Sequence, residues 1–64
     1  MNEDRARWSE ALQVERTHGD SAPAFIVERI RALALAGDEA GIERWRQIAA
    51  RLDQLRRPAH FVPA

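Results

Sequence analysis

Glu15 and His18 are the two residues of this 64-residue chain whose types and spacing come closest to an acid–base pair. They lie three residues apart, so a helix would bring them to neighbouring positions on one face. On a helical wheel of about 100° per residue, Glu15 falls between Trp8, Ala11 and Leu12, on the axis of an apolar stripe. A carboxylate buried there needs a hydrogen-bonded or ionic partner.

This pair has more than one interpretation. In the structural one, Glu15 accepts from the N-terminal amides of the second helix or pairs with an arginine, while His18 suits a helix C-terminus. In the catalytic one, Glu15 is an acid or base beside His18. A third alternative is exposure of Glu15 at a fraying helix end. Because no second polar group converges on the pair, we predict a structural polar lock formed by Glu15 and His18, and no enzyme.

The remaining sequence lacks the patterns of other reactive sites. It has no cysteine, which excludes disulfides and thiolate-bound metals. Its two histidines, His18 and His60, have no companion in a metal-binding spacing. Phosphate-binding glycine loops and nucleophile elbows are also missing. The sequence therefore predicts no metal and no cofactor.

Three amphipathic stretches carry nearly all the apolar residues. Gly19 is placed to end the first stretch, and Pro23 fits the first turn of the second. Gly37 ends the second stretch, and Asp38 is a good N-cap for the third. We therefore predict an all-α fold, a compact three-helix bundle of two consecutive αα-hairpins, with helices over residues 3–17, 23–36 and 39–56.

The second stretch is the most apolar, which favours it as the central helix. Trp8 and Trp45 lie within their helical stripes, so we expect both in the core. Residues 1–57 form one domain in this interpretation. Residues 58–64 form a C-terminal tail without periodicity, and two alternatives stay open for it, a docked tail or a disordered one.

Four apolar side chains do not belong to the predicted core. Leu35 projects from the polar side of the second helix, and Phe25 flanks its core face. Together with Phe61 and Val62 of the tail, they are the candidate partner interface. The leading hypothesis is a non-catalytic protein–protein interaction module, whose partner is another protein or a second copy of the chain.

The charge balance bears on the alternatives. Ten basic and ten acidic residues cancel, which argues against nucleic-acid or anionic-membrane partners. A small helix-turn-helix-like DNA-binding regulator is the alternative, but its recognition helix would begin with Asp38, Glu39 and Glu43, which phosphates repel. No apolar run approaches the roughly 18 residues of a membrane span. Without a signal-peptide pattern, we expect a cytoplasmic protein.

The assembled pattern resembles a family of short, uncharacterised helical proteins from alphaproteobacteria, a domain of unknown function. The resemblance covers about residues 8–56. It implies no catalytic or ligand residues, since the family carries no assigned activity. The matching positions are Trp8, Val14-Glu15, His18-Gly19-Asp20, Ala22-Pro23, Ile26, Arg29, Leu33, Ala36-Gly37-Asp38, Gly41, Trp45, Ile48 and Gln54-Leu55.

Overall fold

A computed structural model describes residues 3–57 of the chain, and all of its regular structure is helical. The elements are α1 (Glu3–His18), α2 (Ala22–Ala36) and α3 (Glu39–Arg56), with one turn of 3-10 helix (Gly19–Ser21) between the first two. The predicted all-α, compact fold is confirmed. The predicted tail, residues 58–64, lies outside the described residues.

The junction between α1 and α2 is tighter than the sequence indicated. Gly19 has a φ of 54°, in the left-handed region, which ends α1 as predicted. The chain then enters the 3-10 turn directly, and Ala22 already has α-helical dihedrals. Helical residues therefore follow one another from Glu3 to Ala36, so that α1 and α2 are joined as one bent helical segment.

The turn between α2 and α3 has the chemistry expected of it. Gly37 has a φ of 74°. Its amide donates to the Ala34 carbonyl, and the Asp38 amide donates to the Leu33 carbonyl at 2.9 Å, which is a Schellman ending. The Asp38 carboxylate then accepts from the Gly41 amide at 2.9 Å and caps α3. Two residues suffice to end one helix and begin the next.

The central element is α3, and the expectation that α2 occupies this place is wrong. α3 packs against both α1 and α2, whereas α1 and α2 contact each other much less. The reason is the distribution of apolar side chains around each helix. Those of α3 repeat on one stripe that includes the buried Ile48 and Leu52, whereas α2 also carries Val27 and Leu35 on exposed positions.

The core is small and contains two alanines that are fully inaccessible, Ala11 of α1 and Ala22 of α2. Side chains of this size let neighbouring helices approach closely. Trp45 is half-buried and packs against the core, and Trp8 is also half-buried. Within residues 3–57, six residues are buried: Ala11, Val14, Ala22, Ile26, Ile48 and Leu52.

The inward face of α1 differs from the predicted one. Ala11 and Val14 are buried, whereas Leu12, which was expected to point inward, is 40% exposed. The inner stripe of α1 therefore runs through Ala11, Val14 and the half-buried His18. The observed stripe is rotated by roughly 70° about the helix axis, at about 100° per residue, which places Glu15 at its edge instead of on its axis.

Candidate interaction surface

Glu15 is not a buried carboxylate. Its side chain is 37% exposed, and its Oε1 accepts from Nη1 of Arg56 at 2.8 Å. The same Nη1 donates to the Gly19 carbonyl at 3.1 Å, and Nη2 of Arg56 lies 3.8 Å from the Asp20 carboxylate. Arg56 thus ties the end of α3 to both the end of α1 and the turn that follows it. An arginine partner was one of the structural alternatives for Glu15.

His18 has a different set of neighbours. Its ring stacks on Phe25, with centroids 3.9 Å apart and planes 16° from parallel. The rings of Phe25 and Trp45 have centroids 5.8 Å apart and planes at 70°, and the Arg29 guanidinium lies 5.7 Å from the Trp45 ring centroid. The two halves of the predicted polar lock therefore have separate partners, since Glu15 pairs with an arginine and His18 stacks on a ring.

These placements limit the chemistry of the pair. The Glu15 carboxylate is held by a guanidinium, and the His18 ring lies against an aromatic face. Among residues 3–57, no group of three histidine, cysteine or acidic side chains is arranged to hold a metal ion. No polar or charged side chain in the described part of the chain is buried. Each of the two side chains therefore contacts another helix, Glu15 through Arg56 of α3 and His18 through Phe25 of α2.

The four candidate interface residues separate into three groups. Phe25 is half-buried within the aromatic contacts just described, so its ring is part of the packing between α2 and α3. Leu35 is 86% exposed, the highest value among the large apolar side chains of the described residues. Phe61 and Val62 lie outside the described residues. Of the four, Leu35 is the one that the structure places on an open surface.

An apolar groove between α2 and α3 was not foreseen from the sequence. Its volume is about 380 Å³, and it combines the buried core residues Ile26 and Leu52 with exposed Pro23 and Val27. The signal was present in the spacing of the apolar residues 23, 26, 27 and 30 of α2, which share one side of the helix. The remaining lining residues are Ile30, Ala49, Asp53 and Arg56.

Arg56 also borders a second depression, between α1 and α3, which it shares with Leu12, Glu15 and Leu55. Its guanidinium therefore stands between the two depressions, held by Glu15 and the Gly19 carbonyl. Arg56 stands in the last turn of α3, a favourable position for a cation beside the helix dipole. Its partners could not be read from the chain because they depend on how α1 and α3 cross.

Ion pairs line the contact between α1 and α3. Glu10 accepts from Arg44 with one oxygen and from Arg7 at 2.7 Å with the other. Arg7 also donates to Gln47 of α3 at 3.1 Å. Further along, Arg51 pairs with Asp4, and its guanidinium lies 5.4 Å from the Trp8 ring centroid. The arginines of α3 therefore serve largely as partners for the carboxylates of α1.

The arginine partners of Glu10 shift its pKa. The hydrogen bond from Arg44 is the largest influence and lowers the pKa of Glu10 below its ordinary value of 4.5. Partial burial opposes this shift, and the hydrogen bond from Arg7 adds to it. The same pair raises the pKa of Arg44. Both groups are therefore ionised at neutral pH.

The helices that carry these contacts are short and mostly amphipathic. Within residues 3–57, no helix has the combination of length and apolar character that crossing a membrane requires.

Comparison with known proteins identifies the family. A family of unknown function (DUF6961) matches residues 3–60, and the chain belongs to it. This confirms the resemblance seen in the sequence at the level of the family, whereas the alphaproteobacterial origin stays a prediction. No curated protein and no solved structure matches the chain.

Proposed function

We propose that this member of the DUF6961 family is a three-helix bundle that acts as a non-catalytic protein–protein interaction module. The binding surface in this proposal is the outer face of α2. We define this outer face by six exposed residues that share one side of the helix: Ala24, Val27, Glu28, Arg31, Ala34 and Leu35.

One observation carries the proposal, the exposure of Leu35 on the side of α2 that faces away from the core. On a helical wheel of about 100° per residue, Leu35 lies roughly opposite the buried Ala22 and Ile26. It is 86% exposed, and Val27 on the same outer face is 54% exposed. Single exposed apolar residues are common, but these two lie on one face of one helix among exposed alanines. Four of the six residues of the outer face are apolar, so a partner that covers it removes apolar surface from water.

The placement of Glu15 and His18 supports a non-catalytic role. A general acid or base must reach the proton that it transfers. The Glu15 carboxylate is engaged by Arg56, and the His18 ring is stacked on Phe25. Both contacts join elements of the fold, which agrees with the structural interpretation of this pair.

The alternative of a DNA-binding regulator has weaker support. Arg44, Arg51 and Arg56 of α3 pair with carboxylates of α1, so their charges are already balanced within the chain. The first turns of α3 expose Glu39 and Glu43, where a recognition helix would meet the phosphates. A gel-shift assay at low salt tests this alternative, since even non-specific affinity would appear there.

Site-specific photo-crosslinking tests the proposed surface directly. A photoreactive phenylalanine derivative at position 35 is expected to form an adduct with a protein in the cells that express the chain. The matched control carries the same group at position 13, where exposed Gln13 of α1 lies outside the outer face. Adducts at position 35 and none at position 13 would support the proposal. No adduct at position 35, or equal adducts at both positions, would contradict it.

A further inference from the structure

The outer face of α2 contains a stripe that is complementary in charge to its own reverse order. Ala24, Glu28, Arg31 and Leu35 follow one another at spacings of four, three and four residues, so they form one line along the helix. All four are exposed. The order along this outer stripe is apolar, acidic, basic and apolar.

From this pattern we propose that two copies of the chain associate through their outer stripes, with the two α2 helices antiparallel about a two-fold axis. This inference rests on the proposed function and names its partner, a second copy of the chain. In a two-fold interface every contact occurs twice, so the surface must be complementary to itself. The outer stripe meets this condition.

The antiparallel alignment pairs each residue of the outer stripe with a suitable one. Glu28 lies opposite Arg31 of the second copy, and Arg31 lies opposite Glu28 of the second copy. Ala24 lies opposite Leu35 of the second copy, so that each leucine packs over a small side chain. A parallel alignment in register would instead place Glu28 against Glu28 and Arg31 against Arg31, which opposes association.

In the single chain, the charged groups of Glu28 and Arg31 are accessible to a second copy. Glu28 and Arg31 lie 3.7 Å apart within α2, and both side chains are largely exposed. An exposed pair of this kind contributes little to folding. In the dimer, each member gains a second partner of opposite charge in a less hydrated setting.

The residues beside the outer stripe also favour a close contact. Val27 and Ala34 lie along one side of it and are both exposed. In the antiparallel pair, Val27 comes next to Ala34 of the second copy, which adds apolar area at the edge of the charged centre. The interface therefore has apolar contacts at both ends and along one side, with four charges in the middle.

The size of the surface sets the expected affinity. α2 has 15 residues, and one face of so short a helix covers less than the roughly 800 Å² per partner of a standard stable interface. We therefore expect a reversible dimer with a dissociation constant on the order of tens to hundreds of micromolar. The fraction of molecules that are dimeric therefore depends on the concentration of the chain.

Charge reversal combined with mixing tests the inference by sedimentation equilibrium. Glu28→Arg and Arg31→Glu should each raise the dissociation constant at least tenfold, because like charges then meet twice. An equimolar mixture of the two variants should form a heterodimer with near wild-type affinity, because every opposed pair is again of opposite charge. The variant that carries both Glu28→Arg and Arg31→Glu should also dimerise with near wild-type affinity. Arg16→Glu, at an exposed site of α1, is the control and should leave the affinity unchanged.

Circular dichroism of each variant confirms that the helices are intact, as expected for exposed positions. A wild-type chain that stays monomeric up to about 1 mM would overturn the inference, as would a dimer that neither single reversal weakens. Single variants that fail to recover on mixing would also overturn it.

The crosslink at position 35 separates this result from the proposed function. An adduct with twice the mass of the chain supports the dimer. An adduct only with a different protein supports the interaction module and overturns the dimer.

Discussion

Arg56 of α3 and Glu15 of α1 lie 2.8 Å apart, from Nη1 to Oε1, and the same Nη1 is 3.1 Å from the carbonyl oxygen of Gly19. One guanidinium therefore holds the end of α1 and the left-handed residue that follows it. Arg56 is the last residue of α3, so the same contact also fixes the end of that helix.

The first prediction concerns this contact. Arg56→Ala should lower the free energy of unfolding by about 1–2 kcal/mol, since it removes a charged hydrogen bond and a bond to a backbone carbonyl at a partly exposed site. Arg57→Ala is the matched control, because Arg57 pairs with Asp53 one helical turn away and is largely exposed. Its effect should stay within about 0.5 kcal/mol. Urea denaturation measures the free energy of unfolding of both variants. Equal losses of stability in the two would contradict the assigned role of Arg56.

The second prediction is a pH dependence at Glu10. Since the pKa of Glu10 is lowered in the folded chain, chiefly by Arg44, its contribution to stability is complete above its ordinary value of 4.5. That contribution is lost as the pH falls through the lowered folded value. Glu10→Gln should therefore flatten the fall in stability as the pH decreases below 4.5.

Arg44→Gln provides the matching measurement. NMR titration of the Glu10 carboxyl should show its pKa returning toward 4.5, because the largest influence on it has been removed. An unchanged titration in Arg44→Gln would mean that Arg44 is not the residue that shifts Glu10.

The third prediction reverses an ordinary rule for glycine. Replacing a glycine within a helix by alanine usually stabilises a protein by about 0.5–1 kcal/mol. A Cβ at Gly41, however, would lie 2.6 Å from an Asp38 carboxylate oxygen and 3.0 Å from Leu33 Cδ2. Gly41→Ala should displace the capping carboxylate and lower the free energy of unfolding by about 1 kcal/mol.

A double-mutant cycle isolates the cause of that loss. In an Asp38→Ala background the capping carboxylate is already absent, so Gly41→Ala should be close to neutral or stabilising. Thermal unfolding of the four variants measures the coupling. A loss of the same size in both backgrounds would assign the effect to Leu33.

The fourth prediction separates two residues that the sequence had grouped together. Phe25→Leu should lower the free energy of unfolding by about 1–2 kcal/mol, because it removes aromatic contacts with His18 and Trp45. It should leave self-association unchanged. Leu35→Ser should do the opposite, with a change in stability within about 0.5 kcal/mol and a weaker dimer. Thermal unfolding measures the stability of both variants, and sedimentation equilibrium measures their self-association. A loss of stability in Leu35→Ser would mean that Leu35 is part of the core.

Helix boundaries could be predicted closely because their chemistry is local. The expected helices at 23–36 and 39–56 compare with Ala22–Ala36 and Glu39–Arg56 in the structure. Gly37 and Asp38 end one helix and cap the next by hydrogen bonds within a few residues of themselves. Neighbouring residues alone decide such bonds, so they are visible in the chain.

The orientation of α1 could not be predicted in the same way. Its inner stripe mixes Ala11 and Val14 with the half-buried Arg7 and His18. The periodicity of apolar residues therefore does not define which face of this helix points inward. Packing against α3 decided it, and Leu12 became exposed as a consequence.

The amino-acid sequence by itself determined the helical fold, the places where the chain turns and the presence of surplus apolar residues on α2. Only the tertiary structure decided that α3 is central, that Glu15 meets Arg56, and that Phe25 is packed while Leu35 is open. The physical reason is the distance along the chain over which each kind of interaction acts. Capping and turn conformations depend on atoms a few residues apart, whereas side-chain partners and exposure depend on how separate helices cross.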